Sequence, residues 1–308
     1  MTAETATTPA PGGSIVWRRR RAAFVRTWRA LWAESQGKAG VIVLTIAVLT
    51  AVLAPVLVNP NDLDVVKTAG LPFEGPSLNF PLGTDNNGLS ILAELIKGSQ
   101  ITLLVGFVSG LISMVIGTSL GVVSGHFGGW VDSVIMRFDD WMLVIPFLPL
   151  VIVLGALPIP FLGNGPWKII LVLGVTSWPG MTRILRAQVL SIKQRPYMER
   201  AKALGASNSH QMFKHTLPNL MPLIMANATL IIASAVLSES ALQFLGVGDP
   251  FSVSWGSMLE NALENQAVSQ GAWIWLLSPG IAIVLVVLGF TWCGNALEKV
   301  LNPRLIGR

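Results

Sequence analysis

The chain has little charge for its length. Only 12% of its 308 residues are Asp, Glu, Lys or Arg, whereas soluble domains carry roughly 25%. The shortage is concentrated in six windows that hold no charged residue at all: 39–61, 98–131, 141–167, 169–182, 215–238 and 265–297. Because a helix needs about 20 mostly apolar residues to cross a bilayer, these windows predict an all-α integral membrane protein rather than a large soluble one.

Cysteine and histidine are also scarce. Cys293 is the single cysteine, which excludes an intrachain disulfide and a thiolate metal cluster. His126, His210 and His215 are the only histidines, and the sequence has no H-E-x-x-H pair. It also lacks a G-x-x-x-x-G-K-[ST] phosphate loop, so we expect no ATP binding through that motif. We therefore predict no catalytic, cofactor or metal site in this chain.

Basic residues indicate the topology. The windows accommodate six spans, at about 40–59, 100–124, 134–157, 168–188, 216–238 and 273–295. The fourth window is short, and it spans only if Arg183 and Arg186 extend their charges to the cytoplasmic edge. With both termini inside, 18 of the 21 Lys and Arg residues are cytoplasmic. The positive-inside rule favours this orientation, which accounts for the net charge of +5 without a nucleic-acid partner.

The N-terminal region divides into two parts. Residues 1–16 are rich in Thr, Ala, Pro and Gly, which is typical of a disordered tail rather than a signal peptide. Residues 17–38 place Arg18–Arg21 beside Trp28 and Trp32 at helical spacing. A basic helix with an aromatic face predicts an interfacial elbow helix, and a generic basic flank is the alternative. The transmembrane domain would then occupy 39–305.

The segment between the fourth and fifth spans, about 189–215, contains residues that typically start and stop a short helix. Pro196 suits the first turn, and Gly205 suits the residue after the end, where φ is often positive. Two helical turns are marginal in water, so the pattern favours docking on a partner over a solvated loop. The residues expected on this helix are Tyr197, Glu199, Arg200, Ala201, Lys202 and Leu204, of which Tyr197, Ala201 and Leu204 share one face.

Two further elements are predicted around this segment and outside the membrane. Ser207 or Asn208 would cap a second short helix, and Leu217 and Pro218 would end the loop. On the external side, Ile91–Ile96 would form a short surface helix of its own.

Small residues recur at intervals of four in the second span. Gly106 and Gly110 form one such pair, and Gly117 and Gly121 form another. This spacing lets helices approach closely in lipid, so we interpret these glycines as helix-packing positions. The alternative is that membrane helices are rich in glycine in any case.

The motifs resemble, in order, the permease subunits of bacterial ABC importers. The segment 197–205 holds the Glu-x-Ala-x-x-x-Gly core of their coupling loop, with Arg200 where an Ala is usual. The dipeptide, oligopeptide and nickel branch is indicated by further motifs at 80–85, 101–106, 242–246, 254–259, 279–280, 294–297 and 301–304. One departure is that Leu89 and Ser90 follow Gly88, where that branch usually has Arg-Asp.

The resemblance implies a type I importer permease of six transmembrane helices with cytoplasmic coupling helices, in the bacterial inner membrane. It implies four kinds of neighbour: a second homologous permease, two ABC ATPase subunits that hold ATP and Mg, an extracytoplasmic substrate-binding protein, and lipid. It also implies coupling to the ATPase through Tyr197, Glu199, Arg200, Ala201, Lys202, Leu204 and Gly205. Di- and oligopeptides are the expected solutes, with nickel or oligosaccharides as alternatives.

Two other classes of function were weighed. A secondary transporter or channel usually has ionisable residues in mid-membrane, and the predicted spans hold none in their middle. An intramembrane enzyme would need a pair of facing acids. Asp139 and Asp140 are adjacent in sequence and therefore do not face each other on a helix.

Overall fold

The computed structural model describes residues 25, 27–158, 165–249 and 252–301. The described part is almost entirely helical, with a single isolated β-bridge between Thr84 and Ser90. Apart from a helical segment at 27–33 and a 3-10 helix at Pro60–Leu63, the helices of the described residues are α1 Ser35–Leu57, α2 Ile91–Phe127, α3 Gly129–Val144, α4 Phe147–Ala156, α5 Pro166–Thr176, α6 Pro179–Lys193, α7 Pro196–Ala203, α8 Asn208–Phe244, α9 Trp255–Glu264 and α10 Trp273–Leu301.

Four helices are long and apolar enough to cross a bilayer: α1, α2, α8 and α10. A fifth crossing is formed if α3 and α4 are counted together, although they meet at an angle of 88°. The predicted first, second, fifth and sixth spans therefore have counterparts among the described residues. The third and fourth differ from the prediction.

The predicted third span, 134–157, is divided between α3 and α4, which meet at an angle of 88°. Proline explains the break, because Pro146 has no N–H to donate and forces the preceding Ile145 into an extended conformation, with ψ at 124°. The predicted fourth span, 168–188, is also divided. α5 ends at Thr176 and α6 begins at Pro179, so neither piece alone has the length of a span.

Two predicted short helices are instead parts of long ones. Ile91–Ile96 is the first turn and a half of α2, which Ser90 caps by accepting a hydrogen bond from the Ala93 N–H at 3.4 Å. The helix capped by Ser207 does not stop at His215 but continues as α8.

Helix α2 lies at the centre of the packing. One of its faces packs on α8 near the first pair of glycines and on α6 near the second pair. Helix α10 packs on α1 and α8, which places α8 between α2 and α10. The coupling segment and the two ends of α8 are therefore positioned by this central group of helices.

The N-terminal elbow is only partly covered by the described residues. Residues 1–24, which include the predicted disordered tail, lie outside them. Residues 27–33 are helical, the helix breaks at Glu34, and α1 follows from Ser35. Trp28 and Trp32 are exposed, whereas Leu31 is buried. Glu34 forms an ion pair with Lys299, with 2.6 Å between Oε1 and Nζ.

The long loop before α2 is held by Thr84 and Asp85, the last two residues of the motif at 80–85. The Thr84 hydroxyl donates to the Leu71 carbonyl at 2.5 Å. Asp85 accepts from the backbone N–H groups of Asn87 and Leu89 at 2.8 and 2.7 Å. Burial raises the pKa of the Asp85 carboxyl, and these hydrogen bonds oppose the shift. Leu89, which replaces the usual Arg, thus contributes its backbone to the turn.

Candidate functional site: the exposed segment between α6 and α8

Helix α7 begins and ends at the residues that the sequence predicts. Pro196 occupies its first turn, and Glu199 lies in the same turn, where the positive end of the helix dipole favours a carboxylate. The Ala206 N–H returns to the Ala201 carbonyl at 3.0 Å, and Gly205 adopts a φ of +79°. Side-chain-bearing residues rarely adopt that φ, so Gly205 provides the turn that ends the helix.

One residue attaches α7 to the rest of the protein. Met198 is buried and packs in a cluster with Leu185 and Val189 of α6 and Leu220 of α8. The sequence analysis gives Met198 no role, because it considers only the face that holds Tyr197, Ala201 and Leu204. The available signal was that Met198 is a large apolar residue lying off that face.

The outward face of α7 forms a groove with the start of α8, which we call the coupling groove. Its volume is about 650 Å³. Leu204 is 88% exposed and Tyr197 40% exposed, although both are apolar enough to be expected in a core. Phe213, on the first turns of α8, is 70% exposed. The residues that line the groove include Tyr197, Arg200, Ala201, Leu204, His210 and His215.

The charged residues of α7 point into solvent. Glu199, Arg200 and Lys202 are all exposed. Glu199 belongs to none of the ion pairs found among the described residues. The segment therefore presents both large apolar and charged side chains to solvent.

Three hydrogen bonds fix the segment to its surroundings. Lys193 at the end of α6 donates to the His126 carbonyl of α2 at 2.6 Å. The His126 imidazole Nε2 lies 3.2 Å from Asn208 Oδ1. Gln211 Nε2 donates to the Ala206 carbonyl at 2.7 Å. Two of these contacts, at Lys193 and Asn208, connect the segment with His126 of α2.

The prediction ends the coupling loop at Leu217 and Pro218, and these two residues begin the regular α-helical part of α8, Leu217–Phe244. The six residues Gln211–Thr216 form a π-helical stretch just before them, and the Leu217 N–H bonds the Met212 carbonyl. Pro218 has no N–H and displaces the carbonyl four residues earlier, so the hydrogen-bond register shifts here. Leu217 is half-buried and Pro218 is exposed.

The glycines of α2 are positions of close approach. A Cβ on Gly106 would lie 2.3 Å from Val236 Cγ2, and one on Gly110 would lie 2.6 Å from Ile232 Cγ1, both on α8. A Cβ on Gly117 would lie 2.8 Å from Met181 Cβ of α6. A Cβ on Gly121 would lie 2.8 Å from the backbone oxygen of Thr182, also on α6. The two helices that flank α7 therefore both pack on one glycine-rich face.

Ion pairs between α3 and α6 were missed by the sequence interpretation. Arg183 contacts Asp139 and Asp140, each at 2.5 Å. Arg186 binds Asp132 through two nitrogens, both at 2.5 Å. These arginines pair with acids on the neighbouring helix, whereas the prediction had them reach the membrane edge alone. The pairing also gives Asp139 and Asp140 a structural role.

Nothing in the described residues resembles a metal centre, because no three His, Cys, Asp or Glu side chains converge there. One acidic side chain nevertheless lies in the interior of a long helix. Glu239 of α8 is fully buried, and the Ser240 hydroxyl donates to it at 3.2 Å. It falls one residue beyond the predicted fifth span, 216–238, which itself contains no acidic residue.

Comparisons with known proteins agree with the resemblance stated from the motifs. Residues 117–307 match the family model described as a binding-protein-dependent transport system inner membrane component. The chain is 33% identical over 268 residues to a putative peptide permease protein of Brucella suis, with 86% of each chain covered. It is 36% identical over 282 residues to the dipeptide transport system permease protein DppC of Bacillus subtilis, covering 90% of this chain and 85% of that one.

Another relative and a solved structure are also similar to the chain. Identity to the oligopeptide transport system permease protein OppC of Lactococcus lactis is 35% over 224 residues, covering 72% of this chain and 75% of the relative. The solved inward-facing structure of the MetNI methionine ABC transporter is similar with a TM-score of 0.56, over 69% of this chain and 98% of that one. Its identity is 20%, so this likeness concerns the fold alone.

Proposed function

Because the chain belongs to the family of binding-protein-dependent transport system inner membrane components, we propose that it is the permease subunit of an ATP-driven importer of di- or oligopeptides. The names of the relatives support the solute, since three of them are described as peptide, dipeptide or oligopeptide permeases. Nickel and oligosaccharides are the competing solutes.

We place six crossings in the bacterial inner membrane. Helices α1, α2, α8 and α10 make four of them, the bent pair α3 and α4 makes the third in chain order, and α5 with α6 makes the fourth. Both termini then lie in the cytoplasm together with the coupling groove. The concentration of Lys and Arg in 183–214 supports this orientation.

The complex would contain a second homologous permease, two ATPase subunits that bind ATP and Mg, and an extracytoplasmic binding protein. The chain itself would perform no chemistry. Its task would be to form half of the pore and to convert movement of the ATPase into movement of the helices.

The coupling groove carries this proposal. Leu204 and Tyr197 are exposed on a helix that is itself anchored through buried Met198. An apolar surface on a rigid support suits a partner that supplies a complementary surface, and Glu199 would meet a basic residue there. A push on α7 would reach α6 and α8, which both pack on the glycine face of α2.

The experiment is purification and transport with the whole complex. We expect the ATPase subunits to purify with this chain, and Leu204→Asp to reduce their recovery because it places a charge in the apolar contact. Leu78→Asp is the matched control, since Leu78 is fully exposed in the loop before α2. ATP-dependent uptake of peptides by vesicles would support the function. Uptake driven by an ion gradient without ATP would contradict it.

A further inference from the structure

A second cavity lies near the end of α8 that is opposite the coupling groove. Gln243 and His210 are separated by about 50 Å along this helix, at 1.5 Å per residue. The cavity has a volume of about 260 Å³ and is bounded by Glu94 of α2, Gln243 of α8 and one side of α9. We call it the acidic cavity, because Glu94, Asp249, Glu260 and Glu264 all line it.

The walls of the acidic cavity are built by firm contacts between helices. Ser254 and Ser257 form a capping box at the start of α9. The Trp255 indole N–H donates to the Leu95 carbonyl of α2 at 2.9 Å. A Cβ on Gly256 would lie 2.5 Å from the Ser240 carbonyl of α8, which shows how closely α9 approaches that helix. The cavity therefore has a defined shape.

Two buried polar groups at the cavity have no hydrogen-bond partner among the described residues. Glu94 is 6% exposed, and its Oε2 is unpaired. Gln243 is 2% exposed, and its Nε2 is unpaired. Leaving such groups unsatisfied is costly, and buried polar groups are paired in most proteins. Both side chains line the same cavity, so a single ligand would satisfy them together.

The ionisable side chains in the described lining of the cavity are all acidic, and that lining contains no Lys or Arg. Burial, with the nearby Glu264 as a second cause, raises the pKa of the Glu260 carboxyl. A positive charge in the cavity would relieve this repulsion and pair with Glu94. No three of its acids converge as metal ligands do, which favours an organic cation over a metal ion.

The two unpaired groups differ in what they require. The Glu94 carboxylate accepts hydrogen bonds and prefers a cation, whereas the Gln243 amide nitrogen donates and requires an acceptor. A protonated amine with a carbonyl oxygen beside it satisfies both. That is the chemistry of the amino terminus of a peptide.

We infer that the acidic cavity is a subsite for the protonated amino terminus of a peptide, with Glu94 holding the ammonium group and Gln243 the first carbonyl oxygen. This inference rests on the proposed function, since it assumes that the solute is a peptide. It assigns solute recognition to this chain in addition to the binding protein.

The test is uptake by the complete transporter in vesicles, with trialanine and N-acetyl-trialanine as solutes on a saturated binding protein. Per loaded binding protein, we expect the wild-type complex to transport the free peptide about tenfold faster than the acetylated one. Glu94→Gln should remove this difference by slowing only the free peptide. Gln243→Met should slow both peptides about fivefold, because it removes one neutral hydrogen bond that each can form.

Two controls separate recognition from misfolding and from other sources of positive charge. Glu298→Gln removes the same charge from an exposed position near the other end of the bundle, and its uptake should equal that of wild type. Docking of the peptide-free binding protein should be unchanged in Glu94→Gln. Weaker docking would assign the cation to a Lys or Arg of that protein and would overturn the inference.

The remaining outcomes are also decisive. Equal transport of the two peptides by wild type, or an unchanged preference in Glu94→Gln, would contradict the subsite alone. If the wild-type complex transports no peptide whatever, the proposed function itself fails.

Discussion

The two ends of α8 differ in almost every physical respect. At its beginning, the coupling groove is wide and is lined by exposed Leu204 and Arg200, and Phe213, Lys202 and Lys214 are exposed on the same segment. At its end, the acidic cavity is less than half that volume and contains polar side chains that are buried and unpaired. An exposed apolar surface suits a protein, whereas a small polar cavity suits a single charged group. This difference in exposure and polarity favours a protein partner at the beginning of α8 and a small charged group at its end.

The largest expected effect comes from damage to the coupling end. Gly205→Val forces a β-branched residue to a φ of +79°, which costs about 1–3 kcal/mol and would reorient α7. Glu199→Lys would remove the proposed charge pair with the ATPase. We expect each variant to insert normally but to lose peptide uptake by more than about tenfold. Uptake and ATP hydrolysis in reconstituted vesicles provide the measurement.

Gly271→Val is the matched control for the glycine. Gly271 has a φ of +78° and, like Gly205, has open space around its Cβ position. It therefore reproduces the backbone strain outside the coupling segment, and uptake should persist. Wild-type rates in both Gly205→Val and Glu199→Lys would reduce the segment to a topology anchor.

A smaller effect is expected in the packing that joins the two ends. In Gly121→Ala the new Cβ would lie 2.8 Å from the backbone oxygen of Thr182, so α2 and α6 must separate. We expect the variant to be destabilised by about 1–3 kcal/mol. Gly280→Ala in α10 meets no atom within 4 Å and should be neutral or slightly stabilising. Thermal unfolding of the purified complex would compare them, and equal midpoints would argue against close packing at Gly121.

The smallest effect is expected from the ion pair between α3 and α6. Arg186 and Asp132 are bidentate, but water reaches both side chains, which limits their coupling to about 1 kcal/mol. A double-mutant cycle with Asp132→Asn and Arg186→Gln measures that coupling. The exposed pair Asp64 and Lys67 is the comparison and should show no coupling. A coupling of zero in the first cycle would mean that the pair does not hold α3 on α6.

Sequence reasoning succeeded where local chemistry decides the structure. Pro196 and Gly205 define the ends of α7 because one lacks an N–H and the other tolerates a positive φ. The charge-free windows located α1, α2, α8 and α10 because bilayer thickness sets the length of an apolar helix. The motif order also led to the family, which the comparisons confirm.

The sequence reasoning failed where distant residues decide. The ion pair of Arg186 with Asp132 joins residues that are 54 positions apart, and neither local sequence predicts it. Burial of Met198 and Glu94 likewise depends on helices that are remote in the chain. The break at Pro146 is a different kind of miss, because the proline was a readable signal inside an apolar window.

Cross-linking tests the central claim most directly, because the chain has one cysteine to remove. In a Cys293→Ala background, Leu204→Cys introduces a thiol at the coupling groove, and Leu263→Cys introduces one on α9, where the side chain is 56% exposed. With a short bifunctional reagent and the assembled complex, we expect Leu204→Cys to cross-link to the ATPase and Leu263→Cys not to do so. A cross-link to the ATPase from Leu263→Cys, with none from Leu204→Cys, would contradict the assignment of the two ends.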